Sequence, residues 1–358
     1  MNLSICIITK NEKEKLIRAM QDLLSMEVEI VVVDTGSQDS TVQALSELKK
    51  QPHKARLKIA EFEWIDDFAA ARNEAIKQAT GKWIFMLDSD EYLMKPCDEK
   101  ILEMLLRKHP GQVGRVLRRN LIPAKPAARE WISRVFEKAY YHYEGAIHEQ
   151  LVPNDPQMQV VLFETNIYLE HDGYYGSDEE RRKKATRNEA LLLKELNERG
   201  DDPYLLYQLG KSYYMDGEME KAAEQFDKAL GFDVDEKLEY VQDLVETYGY
   251  ALMNSGQTQK ALGLEGVVDY FGHLADFCFM MGLIEMQNAR FDEAILFFQK
   301  AAQVPQGKVE GVNSYLAYYN QGVIYECTGN KEKAIEMYRK CGNYPKAVTQ
   351  LANLTKND

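Results

Sequence analysis

At 358 residues the chain is too long for one ordinary hydrophobic core and predicts two domains, with room for a third. Hydrophobic residues at 45% and charged residues at 28% describe a globular protein, and no run approaches the ~20 apolar residues that span a bilayer. A net charge of −13 argues against nonspecific binding to nucleic acid or to an anionic membrane, while leaving room for a local basic pocket.

The N-terminal "MNLSICIITKNEKEK" has an apolar run too short for a signal peptide and no positive charge before it. Cys6, Cys97, Cys278, Cys327 and Cys341 are odd in number, scattered and never in a Cys-x-x-Cys, which predicts free thiols in a reducing compartment. The expected location is cytoplasmic, with no integral membrane association.

"LSICIIT" (Leu3–Thr9) and "EIVVVD" (Glu29–Asp34) are continuous β-branched runs, the pattern of strands buried on both faces of a parallel sheet. Between them, Leu16, Ala19, Met20, Leu23 and Leu24 fall on one helical face. "TGSQDSTVQALSEL" then reads as a Gly turn, an N-cap at Asp39 or Ser40, and an amphipathic helix. "LKIAEFEW", a helix through "DFAAARNEAIKQA", and "KWIFMLD" complete a β-α-β-α-β-α-β order, predicting an α/β domain with a mostly parallel sheet. Ligands of such sheets bind beyond the carboxyl ends of the strands, so Thr9–Glu12, Asp34–Gly36 and Asp88–Glu91 gather on one edge.

"WIFMLDSDEY" drives an apolar strand into Asp88, Asp90 and Glu91. If the strand continues through both aspartates, their carboxylates share one face, and hard oxygen donors suit Mg²⁺ or Mn²⁺. The same tripeptide also reads as a solvated acidic turn with Lys82, Lys95 or Lys100 nearby.

From about Asp178 the strand rhythm ends. Four segments share a template: Gly210, Tyr213, Gly217, Ala222, Phe226 and Ala229; Gly249, Gly256 and Ala261; Gly282, Ala294, Phe298 and Ala301; Gly322, Tyr325, Gly329, Ala334 and Tyr338. The leading glycines are 39, 33 and 40 residues apart. These offsets match the tetratricopeptide repeat, a helix–turn–helix unit of about 34 residues. The second copy is degenerate, with Glu265 where the aromatic belongs. The organisation expected is a catalytic domain over 1–172, a charged helical connector over 173–202 and an all-α repeat domain over 203–358.

In order, "ICIITKNE", "VVVDTGSQDST", "DFAAARNEA" and "WIFMLDSDE" resemble the nucleotide-sugar-binding half of family-2 glycosyltransferases with the Rossmann-like GT-A fold. With the repeats appended, the chain is similar to the bacterial group that includes sublancin-type peptide S-glycosyltransferases. The resemblance implies an inverting enzyme that takes a UDP-sugar donor and Mn²⁺ or Mg²⁺. It places Thr9, Asn11, Glu12, Gly36 and Ser37 around the nucleotide, Asp34 on the uracil ring, and Arg72 on the nucleotide or its phosphates. It gives Asp90 to the metal, Asp88 to the ribose or the metal's water shell, and His171 to the metal as a further ligand.

For the base that deprotonates the acceptor it points to Glu149, with His148 next; many relatives have Glu-Asp where this chain reads "HE". Arg181, Arg182 and Arg187 are expected on a solvated face or as a diphosphate clamp, and Trp131, Arg134 and Phe136 on the acceptor side. Stacked repeats offer an extended concave surface, which favours a peptide or protein acceptor modified on Ser, Thr or Cys. Alternatives are transfer to a lipid-linked or surface glycan, or a non-catalytic repeat scaffold with a nucleotide-sugar-sensing domain. The residues leave the sugar, the acceptor and the oligomeric state open.

Overall fold

The computed structural model of the chain describes residues 2–95, 97–123, 125–173 and 178–355, with the side chains of residues 99 and 178–181 outside the description. It divides into two compact units, Met1–Ser177 and Asp178–Asp358.

The first unit alternates strands β1 (Leu3–Thr9), β2 (Glu29–Asp34), β3 (Arg56–Glu61) and β4 (Trp83–Asp88) with helices α1 (Lys13–Leu23), α2 (Thr41–Leu48) and α3 (Phe68–Gln78). After them come β5 (Glu91–Leu93), α4 (Glu99–Arg107), β6 (Val113–Asn120), β7 (Ala128–Glu137), β8 (Tyr141–Glu144), β9 (Gln150–Pro153) and β10 (Leu162–His171). Eight strands form one sheet in the order β3-β2-β1-β4-β7-β6-β10-β5, and β8 pairs with β9 in a separate hairpin. The pairs among β3, β2, β1 and β4 are parallel, as the β-branched runs predict. The other half is mixed: β7 runs antiparallel to β4 and β6, β10 parallel to β6, and β5 antiparallel to β10.

Successive residues of the parallel strands feed two cores. Ile5, Ile7, Ile30, Val32, Phe85 and Leu87 pack with Leu16, Met20 and Leu45 of the helices on one face. Cys6, Val31, Val33, Ile84 and Met86 pack against Ala69, Ala75 and Ile76 of α3 on the other. Burial on both faces is why these strands carry no polar alternation. Strand β10 shows the contrasting pattern, with alternate residues buried and exposed.

In the second unit the charged α5 (Asp178–Arg199) precedes three regular helix pairs: α6 (Pro203–Met215) with α7 (Met219–Leu230), α11 (Ala275–Gln287) with α12 (Phe291–Gln303), and α13 (Tyr315–Cys327) with α14 (Lys331–Lys340). A Cβ on Gly210 would stand 2.5 Å from Phe226, on Gly282 2.7 Å from Phe298, and on Gly322 2.6 Å from Tyr338. The repeat template is therefore a contact: an aromatic of the second helix lies on a glycine of the first. Between the first and second regular pairs, α8 (Glu239–Asn254) is followed by α9 (Thr258–Ala261), a 3₁₀ segment at Leu262–Val267 and α10 (Val268–Phe271) instead of one helix. With Glu265 in the aromatic position the contact is absent, and Gly249 instead receives Met280 of the next pair, whose Sδ would lie 2.1 Å from an added Cβ. Helix α15 (Pro345–Thr355) follows the last pair.

Candidate active site

The register of the parallel strands brings three polar termini together. Thr9 pairs with Asp34, and Ile8 with Asp88, so β1, β2 and β4 end side by side. Asp34 is almost fully buried; its Oδ2 accepts the N–H groups of Gly36 at 3.0 Å and Ser37 at 2.9 Å. Gly36 sits at φ 92°, and nothing lies within 4 Å of where its Cβ would be, so the turn tightens around the carboxylate and leaves its outer side clear. The loop after β1 closes on this turn. Asn11, left-handed at φ 54°, donates its N–H to Ser37 Oγ at 2.8 Å and accepts the Gln38 N–H on Oδ1 at 2.7 Å. Glu12 caps α1 and faces Lys15 at 3.6 Å.

Asp34 Oδ1 and Thr9 Oγ1 are buried without a hydrogen-bond partner among the described residues. Buried polar atoms left unpaired are costly, and such atoms gathered at strand ends point to a ligand that completes them.

Asp88 ends β4, and Ser89–Asp90 form a turn rather than a continued strand. The expectation that Asp88 and Asp90 share a strand face is therefore wrong. The cause is local and electrostatic: the Glu91 carboxylate accepts the Asp88 N–H at 3.0 Å, bending the chain, while two arginines claim Asp88. Arg72 Nη2 donates to its Oδ1 at 2.7 Å and Arg134 Nη2 to its Oδ2 at 2.5 Å. Burial would raise the Asp88 pKa, but Arg134 and then Arg72 outweigh it and hold the carboxyl well below its ordinary range. Glu91, wholly buried, is neutralised by Arg118 at 2.8 Å and Arg134 at 3.0 Å. Asp88 and Glu91 crowd here because arginines stand between them.

Arg72 reaches this point because α3 is pinned at both sides: Asp67 caps it, accepting the Ala70 N–H at 2.8 Å, and Asn73 exchanges hydrogen bonds with the backbone of Tyr143. Besides Asp88, Arg72 Nε donates to Glu149 Oε1, and its guanidinium lies over the Tyr143 ring. Burial disfavours its charge, yet Asp88 and Glu149 raise its pKa above the ordinary value. Its Nη1 is buried without a partner. His148, immediately before Glu149, is left-handed at φ 49°, a strained turn that aims the next side chain inward.

Asp90 lands elsewhere. Strand β5 crosses to the far edge and pairs with β10 so that Glu91 faces His171, while His171 pairs with Asn120 across the next ladder. Asp90 Oδ1 stands 3.7 Å from His171 Nε2, and Lys15 Nζ lies 3.9 Å from its Oδ2. A Cβ on Gly173 would meet His171 Nε2 at 2.3 Å and Asp90 Oδ2 at 2.7 Å, so only glycine allows this approach.

His171 Nδ1 bonds Asn120 Oδ1 at 2.8 Å, and Asn120 Nδ2 donates to Glu130 Oε1. An ionised carboxylate only accepts, which fixes the amide's orientation and places an imidazole proton on Nδ1. Asp90 and Nε2 lie side by side, and a carboxylate beside an imidazole nitrogen free of its proton fits a cation shared with a bound ligand. Among the described residues, no three His, Cys, Asp or Glu side chains form a complete cation cage.

The structure thus gathers Thr9, Asn11, Glu12, Asp34, Gly36, Ser37, Arg72, Asp88 and Glu149 along one edge, and joins Asp90 to His171. Arg118, Asn120, Glu130 and Lys15 complete the network without having been singled out in the sequence; only the long-range strand pairing reveals them. Phe136, expected on the acceptor side, is wholly buried against Tyr141 and Tyr143, and Arg134 is an ion-pair partner of the acids. The side chain of Arg181 lies outside the described residues, whereas Arg187 bonds its neighbour Asn188 at 2.9 Å.

With this geometry in place, residues 4–159 match the family model Glycosyl transferase family 2. The N-terminal unit is a family-2 glycosyltransferase domain. Residues 204–231, 275–306 and 315–341 of the second unit match tetratricopeptide repeat models, which skip the degenerate second copy.

Relatives of the chain include a TPR repeat-containing protein of Synechococcus elongatus, 25% identical over 94% of this chain and 74% of its own length. The glycosyltransferase SunS of Bacillus phage SPbeta is 25% identical over 63% of this chain, and the matched part is 52% of SunS. The poly(ribitol-phosphate) beta-N-acetylglucosaminyltransferase TarS of Staphylococcus aureus is 33% identical over 32% of this chain and 22% of its own length. No helix among the described residues is long and apolar enough to cross a membrane.

Proposed function

We propose that the protein transfers a sugar, with inversion, from a UDP-sugar to a side-chain Ser, Thr or Cys of a peptide or protein that the repeat domain helps to hold. The observation carrying this reading is the set of unpaired buried atoms at the strand ends, Asp34 Oδ1, Thr9 Oγ1 and Arg72 Nη1, a fixed acceptor and a fixed cation within one pocket edge. In this reading Asp34 Oδ1 accepts the imide N–H of uracil, and Arg72 meets the diphosphate. Asp90 and His171 would hold Mg²⁺ or Mn²⁺ together with diphosphate oxygens, since such ions take one or two protein donors plus substrate phosphates. Bound there, the cation supplies charge neutralisation for the departing diphosphate.

Glu149 is the base of this reading, with His148 beside it. Arg72 Nε donates to Glu149 Oε1, which fixes where the carboxylate points beside the nucleotide-binding strand ends. The repeats offer an all-helical surface on which an acceptor chain could be held.

The test is release of UDP from a panel of UDP- and GDP-linked sugars, with Mn²⁺ or Mg²⁺ and with EDTA. Turnover of a UDP-sugar that stops with EDTA, is lost in Asp90→Ala, and falls without loss of UDP affinity in Glu149→Gln supports the reading. Metal-independent turnover removes the role of Asp90 and His171, and preference for GDP-sugars removes that of Asp34. The TarS match favours a second reading, a polyol-phosphate or other glycan polymer as acceptor; transfer to such a polymer and not to peptides would decide for it.

A further inference from the structure

The first helices of three successive helix pairs turn one face each into a shared polar surface. Tyr207 Oη on α6 donates to Asp243 Oδ2 on α8 at 2.6 Å, and Lys211 Nζ reaches the same oxygen at 2.8 Å. One turn further along α8 stands Glu246, and Asp276 opens the first turn of α11. Glu246 and Asp276 are 6% and 7% exposed, so two carboxylates are sunk into a repeat surface rather than dissolved in water. Buried charge of one sign requires a partner.

The partner comes from an unusual place. Residues 304–314, between α12 and α13, form the longest connection between helices of the second unit and account for the long spacing from Gly282 to Gly322. Val312 is buried and Val309 packs against the same cluster. Gly307 approaches Val312 so closely that an added Cβ would lie 2.6 Å from its Cγ2. So anchored, the segment crosses the acidic surface through bends and a turn that aim adjacent N–H groups the same way. The N–H groups of Lys308 and Val309 donate to the two oxygens of Asp276 at 2.7 and 2.9 Å, and Lys308 Nζ reaches Glu246 Oε2 at 3.1 Å. Glu246 Oε1 remains buried and unpartnered. A bent backbone gripped at two adjacent N–H groups and a lysine gripped at its ammonium are what a site for a lysine-bearing peptide would provide.

We propose that the face formed by Asp243, Glu246 and Asp276 is a docking site for a lysine-bearing segment of a protein partner, and that residues 305–310 are its tethered occupant. The segment keeps the site filled in the free protein, and an incoming lysine-bearing chain displaces it. The partner's class follows from charge: an acidic surface with a buried carboxylate oxygen to spare selects a cation on a flexible stem. In taking that partner to be the acceptor the inference rests on the proposed function; its test involves no sugar, so the two fail separately.

The probe is a fluorescein-labelled synthetic peptide of residues 304–313, with a second peptide carrying Gln at the lysine, both titrated into the full-length chain and followed by anisotropy. Lys308→Ala empties the ammonium position, and this variant is expected to bind the lysine peptide at least ten times more tightly than the wild-type chain does. The glutamine peptide is expected to bind neither. No binding by a folded Lys308→Ala chain, or equal binding of the two peptides, overturns the proposal. Hydrogen exchange on the wild-type chain serves should that variant fold poorly. Excess lysine peptide is expected to increase exchange at the amides of Lys308 and Val309, and unchanged protection there overturns the displacement.

Discussion

Replacing Asp34 with asparagine changes one atom of the pocket and tests what that atom does. Asp34 Oδ2 accepts two backbone N–H groups, from Gly36 and Ser37, and Oδ1 has no partner. In Asp34→Asn the amide oxygen must stay on the two N–H donors, because an NH₂ group there would face them. The NH₂ therefore takes the place of Oδ1. Uracil presents a donor at N3 and now meets a donor; cytosine presents an acceptor at N3 and meets a partner. A hydrogen bond to a charged group contributes about 1.5–3 kcal/mol net, so UDP affinity should fall about 10- to 150-fold. CDP affinity should hold or rise. Titration calorimetry of both nucleotides against both chains reads the result, with melting curves to confirm folding. Unchanged UDP affinity in a folded variant, or an equal loss for UDP and CDP, refutes the assignment of Asp34 to the base.

Three further outcomes follow from the same network. Arg134→Met leaves Asp88 and Glu91 short of a buried partner and should cost about 3 kcal/mol of stability in urea at pH 7. The folded pKa of Asp88 is depressed, so its stabilising contribution is complete above the ordinary carboxylate range and is lost as pH falls below it. The variant should accordingly lose less stability than the wild type between pH 4 and pH 2, and an equal or larger loss contradicts the pairing. Asn120→Leu removes the acceptor that holds the His171 proton on Nδ1, and with UDP present it should weaken Mn²⁺ binding by about 10-fold or more, read by electron paramagnetic resonance; unchanged affinity excludes the relay. Gly322→Ala would place a methyl 2.6 Å from the Tyr338 ring, and such overpacking costs about 1–3 kcal/mol, whereas Gly263→Ala meets nothing within 4 Å and should leave the melting temperature unchanged. Equal melting temperatures for the two variants would show that the glycine–aromatic contact does not hold the repeat together.

What could be read from the sequence was whatever local pattern encodes. Ile5–Ile8 and Ile30–Val33 are apolar throughout because both faces are covered, and that alone predicted parallel strands whose ends carry Thr9 and Asp34. The repeats were legible because Gly210 with Phe226 and Gly322 with Tyr338 recur at fixed offsets set by one helix-pair geometry.

The divergence of Asp88 and Asp90 was hidden, since the turn between them depends on a Glu91 side chain capping the Asp88 N–H and on arginines 16 and 46 residues away in sequence. Arg118, Asn120 and Glu130 were hidden for the same reason: the register of β6, β7 and β10 brings them to Glu91 and His171, and no local pattern reports that register. The segment at 304–314 appeared in the sequence only as a longer spacing between glycines. Its role emerges from where Lys308 ends.

The most direct measurement is a crystal structure of the full chain grown with UDP and Mn²⁺. The account predicts uracil N3 on the Asp34 carboxylate, the diphosphate drawn toward Arg72, and manganese bound by Asp90 and His171 with diphosphate oxygens completing its shell. Nucleotide bound away from the ends of β1, β2 and β4, or manganese bound away from Asp90 and His171, would contradict it.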